Sequence, residues 1–216
     1  MLNIKRLMCN PLQENCYVVS DDSREAVIID CGAYYAEEHD ALDSYIREQQ
    51  LTPVRLLATH GHLDHNFGNA AIYRKYGLKA DICGEDQDLL EHLPEQAASL
   101  FGIKIAEEQP PTGRLLKHGD IVNFGHHRLE VLQTPGHSHG SCLFYCADEH
   151  TVFTGDTLFR MSIGRTDFPE GNWKEMQTSL SVIIAALPAD TVVLPGHGPQ
   201  STIGDEKKYN PYMQAK

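Results

Sequence analysis

The chain has 216 residues, 41% of them hydrophobic and 22% charged, enough for one α/β unit with a sizeable core. Its formal net charge is −12 and no basic run is longer than a pair such as Lys207–Lys208, which excludes the basic footprint of a nucleic-acid or acidic-membrane partner. No stretch approaches the roughly 20 apolar residues of a membrane span, and Pro11 breaks the mixed N-terminal run MLNIKRLMCNPLQENCYVV, so a cytoplasmic protein without a secretory signal is expected.

In chain order, CYVVS and AVIIDCG are short β-branched runs bounded by turn residues, which predicts two strands. AEEHDALDSYIREQQ places Ala41, Leu42, Tyr45 and Ile46 at helical spacing and ends before Pro53, which predicts a helix. VRLLATH reads as a buried strand, and NAAIYRKYG as a helix stopped by Gly77. The segment from Glu85 to Glu108 reads as exposed helix interrupted at Pro94, and Pro110 to Gly113 as a turn. DIVNF, HRLEVLQTPG, SCLFYCAD and HTVFTGD predict four further strands. NWKEMQTSLSVIIAAL predicts a helix ending before Pro188, and TVVLPGHG a last strand before a polar C-terminal tail. Strands with interspersed helices, twice over, point to an α/β protein with two sheets packed face to face and helices outside. With no repeat, low-complexity segment or linker, residues 1–216 read as a single domain.

The chemistry concentrates where the strands stop. THGHLDH, residues 59–65, follows an apolar run and gathers His60, His62, Asp64 and His65. His137 in TPGHSHG, Asp156 in FTGDTLF and His197 in VLPGHG each follow a predicted strand beside a glycine, which lets the backbone turn sharply and another group approach. One such residue alone reads as a hydrogen-bonded turn; four strand ends that each deliver His or Asp read as a metal site. Imidazole and carboxylate suit zinc, iron or manganese. In an extended segment His60 and His62 share a face, whereas the adjacent Asp64 and His65 diverge. Seven ligands exceed one tetrahedral ion and suit two divalent ions that share a carboxylate, for which Asp156 is placed as the bridge.

T-H-x-H-x-D-H followed by G-H, G-D and G-H at strand ends resembles the metallo-β-lactamase superfamily, over nearly the whole chain from Asp30 onward. The resemblance implies a four-layer αββα sandwich of two mixed sheets with the site along one edge. It implies that His60, His62 and His137 hold one ion, that Asp64, His65 and His197 hold the other, and that Asp156 bridges them. Asp30 matches the family's early aspartate, which supports the ligands from behind, and Thr59 is assigned a similar part. The cofactor implied is two divalent ions per chain, zinc ahead of iron or manganese.

GDTLF, GRTDF and the tail GDEKKYNPYM resemble the glyoxalase II-like (hydroxyacylglutathione hydrolase) group, in a short, bacterial-type form. The implied reaction is hydrolysis of S-lactoylglutathione or a similar hydroxyacyl thioester by a metal-bridging hydroxide, with Asp64 and Asp156 as catalytic carboxylates. Two features depart from that group. The chain stops about twenty residues after His197, without the group's added C-terminal helical region, and Thr166 and Asp167 do not offer its tyrosine. Arg165 and Lys207 are therefore the candidates for binding the carboxylate of a glutathione-derived substrate. The alternatives are a mononuclear-iron glutathione persulfide dioxygenase, whose sequences resemble this one including GRTDF, and another hydrolase of the fold acting on a lactone or phosphodiester. Oligomeric state is not legible.

The remaining histidines, His39, His92, His118, His126, His127 and His150, read as surface residues, and His139 as a pocket wall or a support behind His137. The six cysteines form no C-x-x-C pair and read as small core residues, with Cys142 and Cys146 on one face of a strand.

Overall fold

A computed structural model describes residues 1–105 and 107–214. The first sheet runs in sequence order through β1 (Asn3–Cys9), β2 (Glu14–Ser20), β3 (Glu25–Ile29), β4 (Thr52–Leu57), β5 (Ala80–Cys83) and β6 (Leu115–Leu116). β1, β2 and β3 are antiparallel neighbours, and β3 to β6 are parallel. The second sheet contains β7 (Ile121–Phe124), β8 (His127–Gln133), β9 (Cys142–Cys146), β10 (Thr151–Gly155), β11 (Val192–Pro195) and β12 (Ser201–Thr202), again in order, with β10 and β11 its one parallel pair. Both sheets are mixed. Parallel pairs need crossovers, supplied by α1 (Ala36–Glu48) between β3 and β4 and α2 (Asn69–Tyr76) between β4 and β5.

Alternation along each strand creates three apolar layers. On β2, Tyr17 and Val19 face the second sheet, and Cys16 and Val18 face the helices. The layer between the sheets joins Tyr17, Val27, Ile29 and Leu57 to Phe124, Phe144 and Phe153, with Tyr17 edge-on to Phe153 at 5.2 Å. Truncating one of these buried phenylalanines to alanine costs about 3–5 kcal/mol by lost transfer energy and cavity formation. Leu42 and Ile46 of α1 and Ile72 of α2 cover one outer face. Met176, Leu180 and Ile184 cover the other, from a helical run that opens with α5 (Trp173–Thr178) and continues through a π turn to Ala186. This is the four-layer αββα sandwich. Every cysteine is buried and free, and Cys142 and Cys146 share the inter-sheet layer.

Three elements differ from the sequence reading. β1 was not predicted because it is an edge strand whose residues before Cys9 stay largely solvent-facing, so it carries no buried stripe. The 85–108 region is not one exposed helix broken at Pro94. It divides at His92 into α3 (Gln87–Glu91) and α4 (Leu93–Gln96), Pro94 occupies the first turn of α4, and Leu90, Leu93 and Ala97 are buried. Residue 106 lies outside the described residues. The polar C-terminal tail contains β12 and a helix, α6 (Ile203–Tyr209), which Thr202 caps by accepting from the Asp205 amide at 3.1 Å. Among the described residues, no helix is long and apolar enough to cross a membrane.

Candidate metal centre

Parallel strand pairs deliver their C-terminal loops to one edge of the sandwich. β3 and β4 end at Asp30 and the 59–65 loop, joined by the Asp30 amide donating to the Leu57 carbonyl at 2.9 Å. β10 and β11 end at Asp156 and His197, joined by the Gly196 amide donating to the Gly155 carbonyl at 2.8 Å. Gly155 has φ +46°, and a Cβ there would strike the Thr59 side chain, so the two sheet edges meet only because this position is glycine.

The edges bring all seven candidate ligands together. Ligand atoms of His60, His62 and His137 lie within 4.8 Å of one another, as do those of Asp64, His65 and His197, and those of His60, His65 and Asp156. Asp156 reaches toward both triads, its Oδ1 3.2 Å from His65 Nε2 and its Oδ2 3.6 Å from His137 Nε2 and 3.7 Å from His197 Nε2.

Each of four histidines has its outward ring nitrogen held, which aims the other nitrogen inward. His60 Nδ1 lies 3.0 Å from Thr59 Oγ1, and His65 Nδ1 3.0 Å from Asp30 Oδ2. His137 Nδ1 lies 2.7 Å from the Arg165 carbonyl oxygen, and His197 Nδ1 3.0 Å from that of Leu12. Asp30 also accepts from the Thr59 amide and hydroxyl, both at 2.7 Å. If Thr59 Oγ1 donates to Asp30, its lone pair is left to accept from His60 Nδ1–H.

The inward atoms fit divalent ions. His60 Nε2, His65 Nε2 and Asp156 Oδ1 are buried without a hydrogen-bond partner. With His65 Nδ1–H donating to Asp30, the Nε2 lone pair confronts a carboxylate oxygen at 3.2 Å, an arrangement that requires a positive charge between them. A proton supplies that charge in the metal-free protein. Burial opposes protonation of His65, but Asp156, Asp64 and Asp30 outweigh it and raise its pKa well above the ordinary value. Burial likewise opposes a charged His197, yet the Asp64 carboxylate 3.2 Å away raises its pKa. Burial alone would raise Asp64 and Asp156, and the histidines, His65 first, lower both. His60 is pushed well below its usual value by burial and by its neighbouring imidazoles, and His62 to about 3 by burial and then His137, so both are neutral lone-pair donors. His62 Nδ1 and His137 Nε2 face each other at 2.8 Å, close enough to be drawn onto one ion.

The site opens into a cavity of about 330 Å³ whose walls include Leu12, Leu63, Leu100, Phe159 and Phe168. Arg165 is the one Lys or Arg side chain among its described lining residues. Its guanidinium stacks on Phe168 at 4.1 Å and gives Nε and Nη2 to Asp167 at 2.7 and 2.8 Å. The structure does not bring Lys207 to this cavity. α6 turns it away, and its Nζ donates to the Leu187 carbonyl at 3.1 Å beside a separate hollow. His139 is no pocket wall: it is exposed, with Nδ1 4.0 Å from Glu175. His127 is no bare surface residue, because its ring bridges Asp21 at 2.7 Å and Glu149 at 3.0 Å.

Several supporting residues escape a sequence reading. Buried Asp86 accepts from the Gly61 amide (2.9 Å), the Ser138 hydroxyl (2.6 Å) and the Gly140 amide (2.6 Å), fixing the 59–65 loop against the 136–140 loop. Asn66 donates to the carbonyls of His60 and His62 at 3.0 and 2.7 Å, and its position directly after the motif is the one available signal. Gln96 donates to Gly61 and accepts from Leu63.

A model of the metallo-beta-lactamase superfamily matches residues 9–197. The chain is 36% identical over 218 residues to the hydroxyacylglutathione hydrolase GloC of Haemophilus influenzae, covering 100% of both proteins. The solved structure of the B3 metallo-beta-lactamase BLEG-1 superposes with a TM-score of 0.90 at 34% identity, covering 99% of this chain and 100% of that one. TTHA1623, solved in a di-iron-bound form, superposes with a TM-score of 0.85 at 35% identity, covering 96% and 99%.

Proposed function

The chain belongs to the metallo-β-lactamase superfamily and is a metal-dependent hydrolase, and on that footing we propose that it hydrolyses S-lactoylglutathione or a similar hydroxyacyl thioester with two divalent ions. The observation that carries the two-ion reading is the convergence of two ligand triads on the single Asp156 carboxylate. Full-length similarity to a hydroxyacylglutathione hydrolase supports the thioester, and the relative solved in a di-iron-bound form supports the ion count.

In this reading His60, His62 and His137 would hold one ion and Asp64, His65 and His197 the other, with Asp156 as the ligand they would share. When bound, the ions supply a nucleophilic water at neutral pH and a Lewis acid for the carbonyl oxygen; zinc suits the ligand set, as do iron and manganese. The protein's own groups do the rest. Ionised Asp64 lines the cavity and can take a proton from the attacking water. Phe159, Phe168, Leu12 and Leu100 exclude bulk water and receive the apolar parts of the thioester. The Nη1 edge of Arg165, not engaged by Asp167, is available to a carboxylate on the thiol half. The water oxygen bonds to the carbonyl carbon, the C–S bond breaks as the tetrahedral adduct collapses, and the proton taken from the water passes to the departing thiolate, so that the products are the hydroxy acid and the thiol. Loss of the thioester absorbance of S-lactoylglutathione, abolished by a chelator and restored by a divalent metal, tests the reading. Wild-type turnover in the chelated apoprotein would sink it.

A further inference from the structure

The two triads share Asp30, which holds His65 directly and His60 through Thr59, but their other supports come from different parts of the chain. Hydrogen bonds to Thr59 and to the Arg165 carbonyl orient His60 and His137, and Asn66 holds the His60 and His62 carbonyls. Among the described residues, no hydrogen bond from the β1–β2 hairpin reaches His60, His62 or His137. The hairpin touches every member of the other triad. Asn10 in its turn donates to the Asp64 carbonyl at 2.8 Å. The Leu12 carbonyl accepts from His197 Nδ1 at 3.0 Å. Glu14, wholly buried with neither carboxylate oxygen hydrogen-bonded, lies 3.9 Å from His65 Nδ1.

Asn15 makes the tightest connection. Its side-chain amide donates at 2.9 Å to both the Pro195 and the Gly198 carbonyls, and its backbone amide donates at 2.7 Å to Gly196. These acceptors bracket His197 on both sides. Gly196 and Gly198 flank the histidine, Gly198 with φ +78°, so the loop has little stiffness of its own. Asn15 is buried, and both of its amide hydrogens are used in fixing that loop.

We infer that the β1–β2 hairpin selectively sets the affinity of the Asp64–His65–His197 half-site, with Asn15 as the positioning residue for His197. The inference rests on the two-ion reading. Truncating Asn15 removes the two side-chain hydrogen bonds that bracket His197, leaves its backbone bond to Gly196, and touches none of the bonds that hold His60, His62 and His137.

The test is a chelator-competition titration of apoprotein with zinc, combined with metal analysis, for wild type, Asn15→Ala and Asn10→Ala. Wild type is expected to bind two ions. Asn15→Ala is expected to bind one ion with wild-type affinity and the other about 10–100-fold more weakly, the range seen when a ligand's outer partner is removed. Asn10→Ala, which acts through Asp64, is expected to show the same selective loss, and it carries the test if Asn15→Ala does not fold. Unchanged affinity for both ions, or equal weakening of both, would overturn the inference, because a general loss of structure weakens both half-sites alike. A wild-type chain that binds one ion overturns the two-ion reading itself, and the wild-type titration reveals this before any variant is compared.

Discussion

Asp30 and His65 are joined by a 3.0 Å hydrogen bond in a buried setting, and the same carboxylate accepts twice from Thr59. One side chain thus orients a ligand of each half-site: His65 directly, and His60 through the Thr59 hydroxyl. Asp30 does this from a left-handed backbone, φ +53°, which Asp and Asn tolerate better than other non-glycine residues. Asp30→Asn therefore keeps the backbone while removing the charge. It is expected to weaken metal binding about 10–100-fold and to lower kcat/KM with it. Competition titration and steady-state kinetics check this, and wild-type affinity in the variant would remove Asp30 from the account.

Asp156 is a stricter case, because its carboxylate lies within 3.7 Å of histidines from both triads. Asp156→Ala is expected to lose both ions' shared ligand and to reduce turnover by far more than the roughly 100-fold ceiling typical of a residue that only orients a ligand. Metal content and turnover measured on one preparation decide the matter. Full turnover would rule out the bridge.

Arg165 offers a specificity test. Asp167 neutralises it through two hydrogen bonds while Phe168 supports its plane, so an anionic thioester meets an ion pair rather than a free cation. Asp167→Asn is expected to lower KM for carboxylate-bearing thioesters about two- to five-fold, the modest scale of an exposed ion pair, and less so at high salt. KM for a neutral N-acetylcysteamine thioester should not move. Equal shifts for both substrates would mean that Arg165 does not read the substrate's charge.

Far from the metal centre, His127 ties the β7–β8 hairpin to Asp21 and Glu149. Burial opposes its protonation, but hydrogen bonds to the two carboxylates raise its pKa above 6.5. Its stabilising contribution is therefore complete below pH 6.5 and lost as pH rises through the folded value. Asp21 and Glu149 are lowered, from 3.8 and 4.5, so their contributions hold above those values and fade in acid. The Tm gap between wild type and His127→Gln is expected to be widest between about pH 5 and 6.5 and to narrow toward pH 9. A gap that stays constant with pH would show that His127 acts by packing alone.

The seven candidate ligands were legible because His137, Asp156 and His197 each stand beside a glycine at a strand end, while His60, His62, Asp64 and His65 crowd one loop after an apolar run, a pattern that survives without knowing the partners. Asp30 and Thr59 followed from family resemblance. Asn15, Glu14 and Asp86 were not legible, because their roles exist only through contacts to residues distant in sequence: Asn15 meets Gly198, 183 positions away, and Asp86 meets Gly140, 54 away. Lys207 shows the converse. A cation near an Asn-Pro segment suggested a substrate contact, but α6 directs it to the Leu187 carbonyl. β1 was invisible because an exposed edge strand has no periodic apolar stripe, and its hairpin is the element that grips His197.

Metal stoichiometry on protein assayed in parallel for S-lactoylglutathione hydrolysis and oxygen uptake distinguishes a two-ion thioester hydrolase from a one-iron oxygenase. A two-ion hydrolase is expected to hold two divalent ions per chain, release thiol from the thioester and consume no oxygen. One iron per chain, with oxygen consumed when glutathione persulfide is supplied, would contradict it.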